Sequence, residues 1–241
     1  MKKIITTFLL LLVVCCIPTI VSAKELNEIY TNQSGVAIES NVYDKLCNIY
    51  SKNYIETITQ DEYNKLMENN LQDIEIKEYT DEGIQTRGSY FSTNAKAVRL
   101  IKNGNYITMM ASWKGVPNVK TYDVIAVRFD RATLNGTFTF KKTYVNNGNL
   151  NVSYDSSNQK FTNGFGSSFK VPNGTNLEIS LTFMVSGSGT VYGSYQHAST
   201  ATTLAESKKY TISSLGYGMV INFDASVRNK YDAMTGVDLS F

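Results

Sequence analysis

Side chains that carry chemistry are scarce in this 241-residue chain, which has one histidine, one tryptophan, three cysteines and three prolines. One histidine cannot build a multi-histidine metal centre. No H-E-x-x-H, G-x-S-x-G or phosphate-loop pattern supplies His197 with partners. Cys15 and Cys16 lie in an apolar N-terminal run, so behind that run Cys47 stands alone and no intramolecular disulfide is available. An excess of charge is also lacking. The 23 basic and 21 acidic residues become 21 of each once Lys2 and Lys3 are set aside with the N-terminal run. A chain near neutrality has no concentrated basic face to displace counterions from phosphates. That excludes nucleic acid as an expected partner and gives no drive for simple adsorption to anionic membranes.

What is present begins with a leader. Lys2 and Lys3, the apolar run Ile4 to Ile20 and the small residues Val21-Ser22-Ala23 have the layout of a secretory signal peptide, residues 1–23. We expect the exported form to start at Lys24 and to be secreted or held at the cell surface. Thr6, Thr7 and Pro18 interrupt the run, which leaves it short of the ~20 apolar residues a span requires, so no stable membrane span is expected after cleavage. Val14 is larger than the residue that lipoprotein processing at Cys15 usually accepts. A disulfide-free composition rich in lysine and asparagine suits an exported protein of a Gram-positive bacterium.

Behind the leader the hydrophobic period changes once. From Ser40 to about Asn70 apolar residues recur at helical spacing, as Val42, Leu46, Ile49 and Tyr50, then Tyr63, Leu66 and Met67. Thr59 followed by Glu62 is a capping box, in which hydroxyl and carboxylate satisfy the free amides that open a helix. Residues 24–80 therefore read as a small helical N-terminal segment with a strand at Ile74 to Tyr79. The stretch "TDEGIQTRGS" is poor in apolar residues, and 81–89 reads as a linker or equally as a surface loop. From Tyr90 the period becomes two. "TFTFKKTYV" puts Phe138, Phe140 and Tyr144 on one face, and "NLEISLTFMV" does the same with Leu177, Ile179, Leu181, Phe183 and Val185. "DVIAV" is apolar on consecutive residues, which suits a central strand covered on both faces. Asn103-Gly104, "VNNGN", Pro172-Asn173-Gly174 and "GSG" punctuate the strands. The fold expected is mainly β: an antiparallel β-sandwich or jelly-roll-like domain of about ten strands over 90–241, folding without the small α-helical segment ahead of it.

The stretch Asn176 to Ser199 reads as two alternating arms about Gly187-Ser188-Gly189. A three-residue loop there sets Val185 opposite Val191 and turns His197 toward the apolar face, as a partly buried histidine bonded to a neighbour. A membrane-piercing hairpin would need a return arm with one continuously apolar face over ~9–11 residues, and neither face of Val191 to Ala198 offers it. The stretch is accordingly expected to be a core hairpin.

No catalytic residues, metal ligands or cofactors are assigned. Cys47 lies beside Leu46 and Ile49 on an apolar helical face, where an inert thiol is the usual outcome and a Cys47–His197 pair the unusual one. The β region holds Asp123, Asp130, Asp155, Glu178, Glu206, Asp224, Asp232 and Asp238, and none has a spacing that specifies a glycosidase pair. Asp224, Asp232 and Asp238 near Arg228 read as a solvated loop or as a calcium site. Trp113, in "ASWKGVPNVKTYD", has two roles open to it. It closes the end of the core, or it forms with Lys114, Asn118 and Lys120 an aromatic platform with ammonium and amide donors for a polyhydroxylated ligand. The class this favours is a secreted or surface-associated, non-enzymatic binder of a glycan, cell-wall polymer or protein partner, with a pore-forming toxin and a hydrolase with dispersed carboxylates as alternatives.

Overall fold

The computed structural model describes residues 28–80, 83–87, 96–113, 115, 117, 119–215, 219–232 and 236–240. The expected leader and its cleavage point lie outside them. In chain order a short ribbon, β1 (Ile29–Thr31) and β2 (Ala37–Glu39), leads into α1 (Ser40–Ile49), α2 (Lys52–Glu56) and α3 (Gln60–Met67). Strands β3 (Ile74–Thr80), β4 (Gly83–Arg87), β5 (Lys96–Asn103), β6 (Tyr106–Trp113), β7 (Tyr122–Asp130), β8 (Thr133–Asn146) and β9 (Asn149–Ser153) follow. Next come β10 (Ser157–Phe161), β11 (Gly164–Lys170), β12 (Thr175–Ser186) and β13 (Thr190–Gln196). The chain ends with α4 (Leu204–Ser207), β14 (Tyr210–Leu215), β15 (Met219–Phe223) and β16 (Val237–Ser240). The protein is mainly β and its sheets are antiparallel.

The three N-terminal helices are 10, 5 and 8 residues long, too short to persist alone in water. Local signals still set their ends. Thr59 Oγ1 accepts from the Glu62 amide at 3.3 Å, and the Glu62 carboxylate accepts from the Thr59 amide at 2.9 Å, closing the capping box read from the sequence. Ser51 caps α2 by accepting from the Tyr54 amide. Packing supplies the rest: Leu46, Ile49, Tyr50, Tyr54, Ile55, Ile58 and Leu66 are buried with Ile76, Ile101, Tyr106 and Met110 of β3, β5 and β6.

Seven strands pair in the order β4-β3-β5-β6-β12-β8-β9 and five in the order β10-β11-β7-β13-β16. The stretch that read as a linker or loop carries β4, paired with β3, while 81, 82, 88 and 89 lie outside the described residues. Asn147 and Gly148, both at positive φ, close the β8–β9 hairpin as the Asn-Gly signal requires. Both sheets contribute to one apolar cluster: Leu100, Met109, Phe140, Ile179, Leu181 and Phe183 from the first, Ile125, Val127, Phe165, Val191, Tyr195 and Leu239 from the second. The outer face of the five-stranded sheet is covered too. Tyr210, Ile212, Val220, Ile221 and Phe223 of the β14–β15 hairpin bury Val124 and Ala126. β7 thus has apolar neighbours on both faces, which is why "DVIAV" is apolar on consecutive residues.

One expectation is corrected. Asn176 to Ser199 is not a hairpin: β12 pairs with β6 and β8, whereas β13 pairs with β7 and β16 in the other sheet. The turn at Gly187 to Gly189 carries the chain from one sheet to the other. It packs on the turn after β7, so closely that a Cβ at Gly189 would lie 2.1 Å from the Asp130 carbonyl oxygen. The inward faces survive the correction, because both sheets look into the same cluster. Gly193 is where β13 meets the opposing sheet: a Cβ there would lie 2.2 Å from Met109 Sδ. We expect Gly193→Ala to cost about 1–3 kcal/mol by overpacking, and Met109→Ala to relieve most of that cost. A double-mutant cycle from urea melts checks the pairing; additive losses would place the strain elsewhere.

Candidate functional site

Trp113 ends β6, and its half-buried indole packs against the central cluster. Three other elements converge on it. Tyr195 comes from the end of β13, Asp123 from the start of β7, and His197 follows β13 directly. The Trp113 indole N–H donates to Tyr195 Oη at 2.9 Å, and Tyr195 Oη in turn donates to the Asp123 carboxylate. His197 Nδ1 lies 2.9 Å from Asp123 Oδ2, and the Ala198 amide donates to Asp123 Oδ1 at 2.9 Å. Asp123 is fully buried, so its charge is tolerable only with this many donors around it. Burial pushes its carboxyl up, and His197, Tyr195 and the Ala198 amide pull it part of the way back. Burial and the Asp123 charge drive Tyr195 well above the usual phenol range, so it stays protonated and donates.

Asp232 and Lys96 brace the same site from the other side. The His197 amide donates to Asp232 Oδ1 at 2.8 Å, and Lys96 Nζ lies 2.5 Å from Asp232 Oδ2. The same ammonium stands 5.4 Å over the Trp113 ring, and the His197 ring meets the indole edge-on at 4.9 Å. Trp113 is held through its N–H, one edge and one face before any ligand arrives.

Of the residues proposed from sequence, Trp113 lies in this network and Lys120 is exposed just ahead of β7. Lys114 and Asn118 lie outside the described residues. His197 is buried and bonded to a neighbour as the sequence reading expects, but that reading did not name Asp123 as the neighbour and did not join Lys96, Tyr195 and Asp232 to the site. A signal for Asp123 was present. A carboxylate inside a strand that is apolar on both faces requires buried donors, and the one histidine and a tyrosine were free to supply them.

A carboxylate on histidine Nδ1 is the orienting half of a nucleophile triad. Among the described residues no hydroxyl or thiol is bonded to His197 to complete it. Cys47 belongs to the helix-covered cluster with β3, β5 and β6, and burial pushes its thiol up. Of the other carboxylates in the β region, Asp130 is exposed at the end of β7 and five are tied to separate partners. Glu178 accepts from Ser51 Oγ beneath the helices at 2.5 Å. Glu206 caps α4 and binds Lys230 at 2.6 Å; these contacts hold it down at about 2, the wrong direction for a general acid. Asp224 accepts from the Ser226 amide, Asp155 from Ser153, and Asp238 faces Lys77 at 3.9 Å. Among the described residues no three His, Cys, Asp or Glu side chains are grouped to hold a metal ion. No protein-family model, curated protein or solved structure matches the chain. The functional reading therefore rests on the site's own geometry.

Proposed function

We propose that this is an exported, cell-surface or secreted binding protein without catalytic activity. In this reading its two sheets form an antiparallel β-sandwich that presents Trp113 at its rim to a glycan or cell-wall polymer. The observation that carries the proposal is the immobilised indole. Its N–H is satisfied by Tyr195, Lys96 stands over the ring, and part of the ring stays exposed at the end of β6. A ring already fixed loses little freedom when it stacks on the C–H face of a sugar, and preorganisation of this kind is converted into affinity. Lys96 and Asp232 supply polar groups for hydroxyls beside it.

The alternatives have less support. A toxin that inserts Asn176 to Ser199 would have to withdraw β12 from the middle of one sheet and β13 from the other. A hydrolase needs one raised carboxyl open to substrate and facing a second; Asp123 is raised but fully buried beneath Tyr195, His197 and the Ala198 amide, and Glu206 and Asp224 are held low by Lys230 and by the Ser226 amide. Cosedimentation with chitin, cellulose and peptidoglycan sacculi tests the proposal. We expect one of these to bind, and Trp113→Ala to weaken that binding about tenfold or more in a variant that still melts cooperatively. Undiminished binding by a folded Trp113→Ala variant would remove the rim from the account. Dye release from liposomes at low protein concentration would replace the binder with a membrane-active protein.

A further inference from the structure

A second site stands on residues the Trp113 network does not use. A groove of about 520 Å³ runs along the β14–β15 hairpin where Tyr210 and Phe223 pair, within the ~300–1,000 Å³ range of ligand sites. Lys208 and Lys209 enter it from the turn after α4, Arg228 from the turn after β15, and Asn222 and Asp224 from β15 and its end. We propose that this groove binds a polymer carrying repeated phosphate or carboxylate groups.

Charge is the first argument. The chain without its leader has as many acidic as basic residues, yet three cations meet a single carboxylate here. Lys230, close by in the chain, is neutralised by Glu206 at 2.6 Å. Among the described residues Lys208, Lys209 and Arg228 form no salt bridge, and all three are exposed. The carboxylate that shares the groove is already engaged. Asp224 accepts from the Ser226 amide at 2.8 Å; that bond, with Lys209 and Arg228 nearby, holds it below the usual range.

Fixed geometry is the second. The Asp224 amide donates to the Lys209 carbonyl at 2.9 Å, which locks together the two backbone positions that flank the groove. The Arg228 guanidinium donates through Nε and Nη2 to the Phe223 carbonyl at 3.4 and 3.3 Å. Its Nη1 is not used in that contact, and a planar fork held in this way suits an oxyanion better than a freely rotating lysine does. Thr211 and Asn222, which pair across the hairpin and line the groove, offer a hydroxyl and an amide to the spacer between charged groups, which favours a polymer over a free small anion.

Titration of the exported form at about 50 mM salt tests the assignment, with polyglycerol phosphate and polygalacturonate as separate arms and dextran as the neutral control. We expect saturable binding to at least one anionic polymer and none to dextran; the arm that binds identifies phosphate or carboxylate as the ligand group. Lys208→Ala combined with Lys209→Ala should weaken that binding about tenfold and flatten its salt dependence. Lys45→Ala combined with Lys170→Ala removes the same charge from exposed positions elsewhere and should leave it unchanged. Trp113→Ala should also leave it unchanged, which separates this site from the rim. Equal losses in the two lysine pairs, full binding by the Lys208/Lys209 variant, or no binding in either arm would overturn the proposal.

Discussion

Expression of residues 88–241 alone is expected to give a chain with no cooperative melting transition. Sequence periodicity favours the opposite, because the strands from Tyr90 onward carry complete inward faces of their own. The outer face decides the matter. The helices and the turns between them bury seven apolar side chains against the seven-stranded sheet, and at ~1.5–3 kcal/mol each these supply roughly 10–20 kcal/mol before entropy is set against them. That is as large as the whole net stability of an ordinary domain, about 5–15 kcal/mol. Truncation also strands buried charges. Lys141 loses Glu62 and the Thr57 carbonyl, Glu178 loses Ser51, and Arg99 loses Glu78 together with β3. Thermal melts by circular dichroism check this. A cooperative transition within a few degrees of that of residues 24–241 would show that the helices are an accessory layer.

The second large effect is expected at Asp123. Replacing it with alanine removes the acceptor shared by Tyr195, the Ala198 amide and His197, and leaves those groups buried without it. Breaking a buried charged network from one side costs about 3–5 kcal/mol. In a chain of this length that is a drop of roughly 6–20 °C. Trp113 should report the same event through red-shifted emission, since Tyr195 then loses its anchor. Asp123→Asn keeps the shape and one acceptor and should cost less. A loss below about 1 kcal/mol for Asp123→Ala would mean that the network is not what holds the rim.

Legibility in the sequence followed how local each signal was. The Thr59–Glu62 capping box, the Asn-Gly turn after β8 and the doubly covered β7 were readable because each is settled within a few residues. The inward face of β12 was readable for the same reason. Its partner was not: a glycine turn between two alternating arms looks the same whether the chain folds back on itself or crosses to a facing sheet. β4 was hard to recognise because an edge strand is paired on one side only, and Gly83–Arg87 has no apolar alternation. The site was the least legible part. Trp113 could be singled out by its rarity, but its support comes from Asp123, Tyr195, His197, Asp232 and Lys96, up to 136 residues apart in the chain. Periodicity carries no information over that distance.

The rim itself is best tested by the emission of the single tryptophan, recorded with and without iodide and with and without whichever polymer cosedimentation selects among chitin, cellulose and peptidoglycan. The account predicts emission between the buried and fully hydrated limits, partial quenching by iodide, and loss of that quenching when the polymer is added. Emission that iodide does not touch, and that saturating polymer leaves unchanged, would make Trp113 a plug at the end of the core and place the binding surface elsewhere.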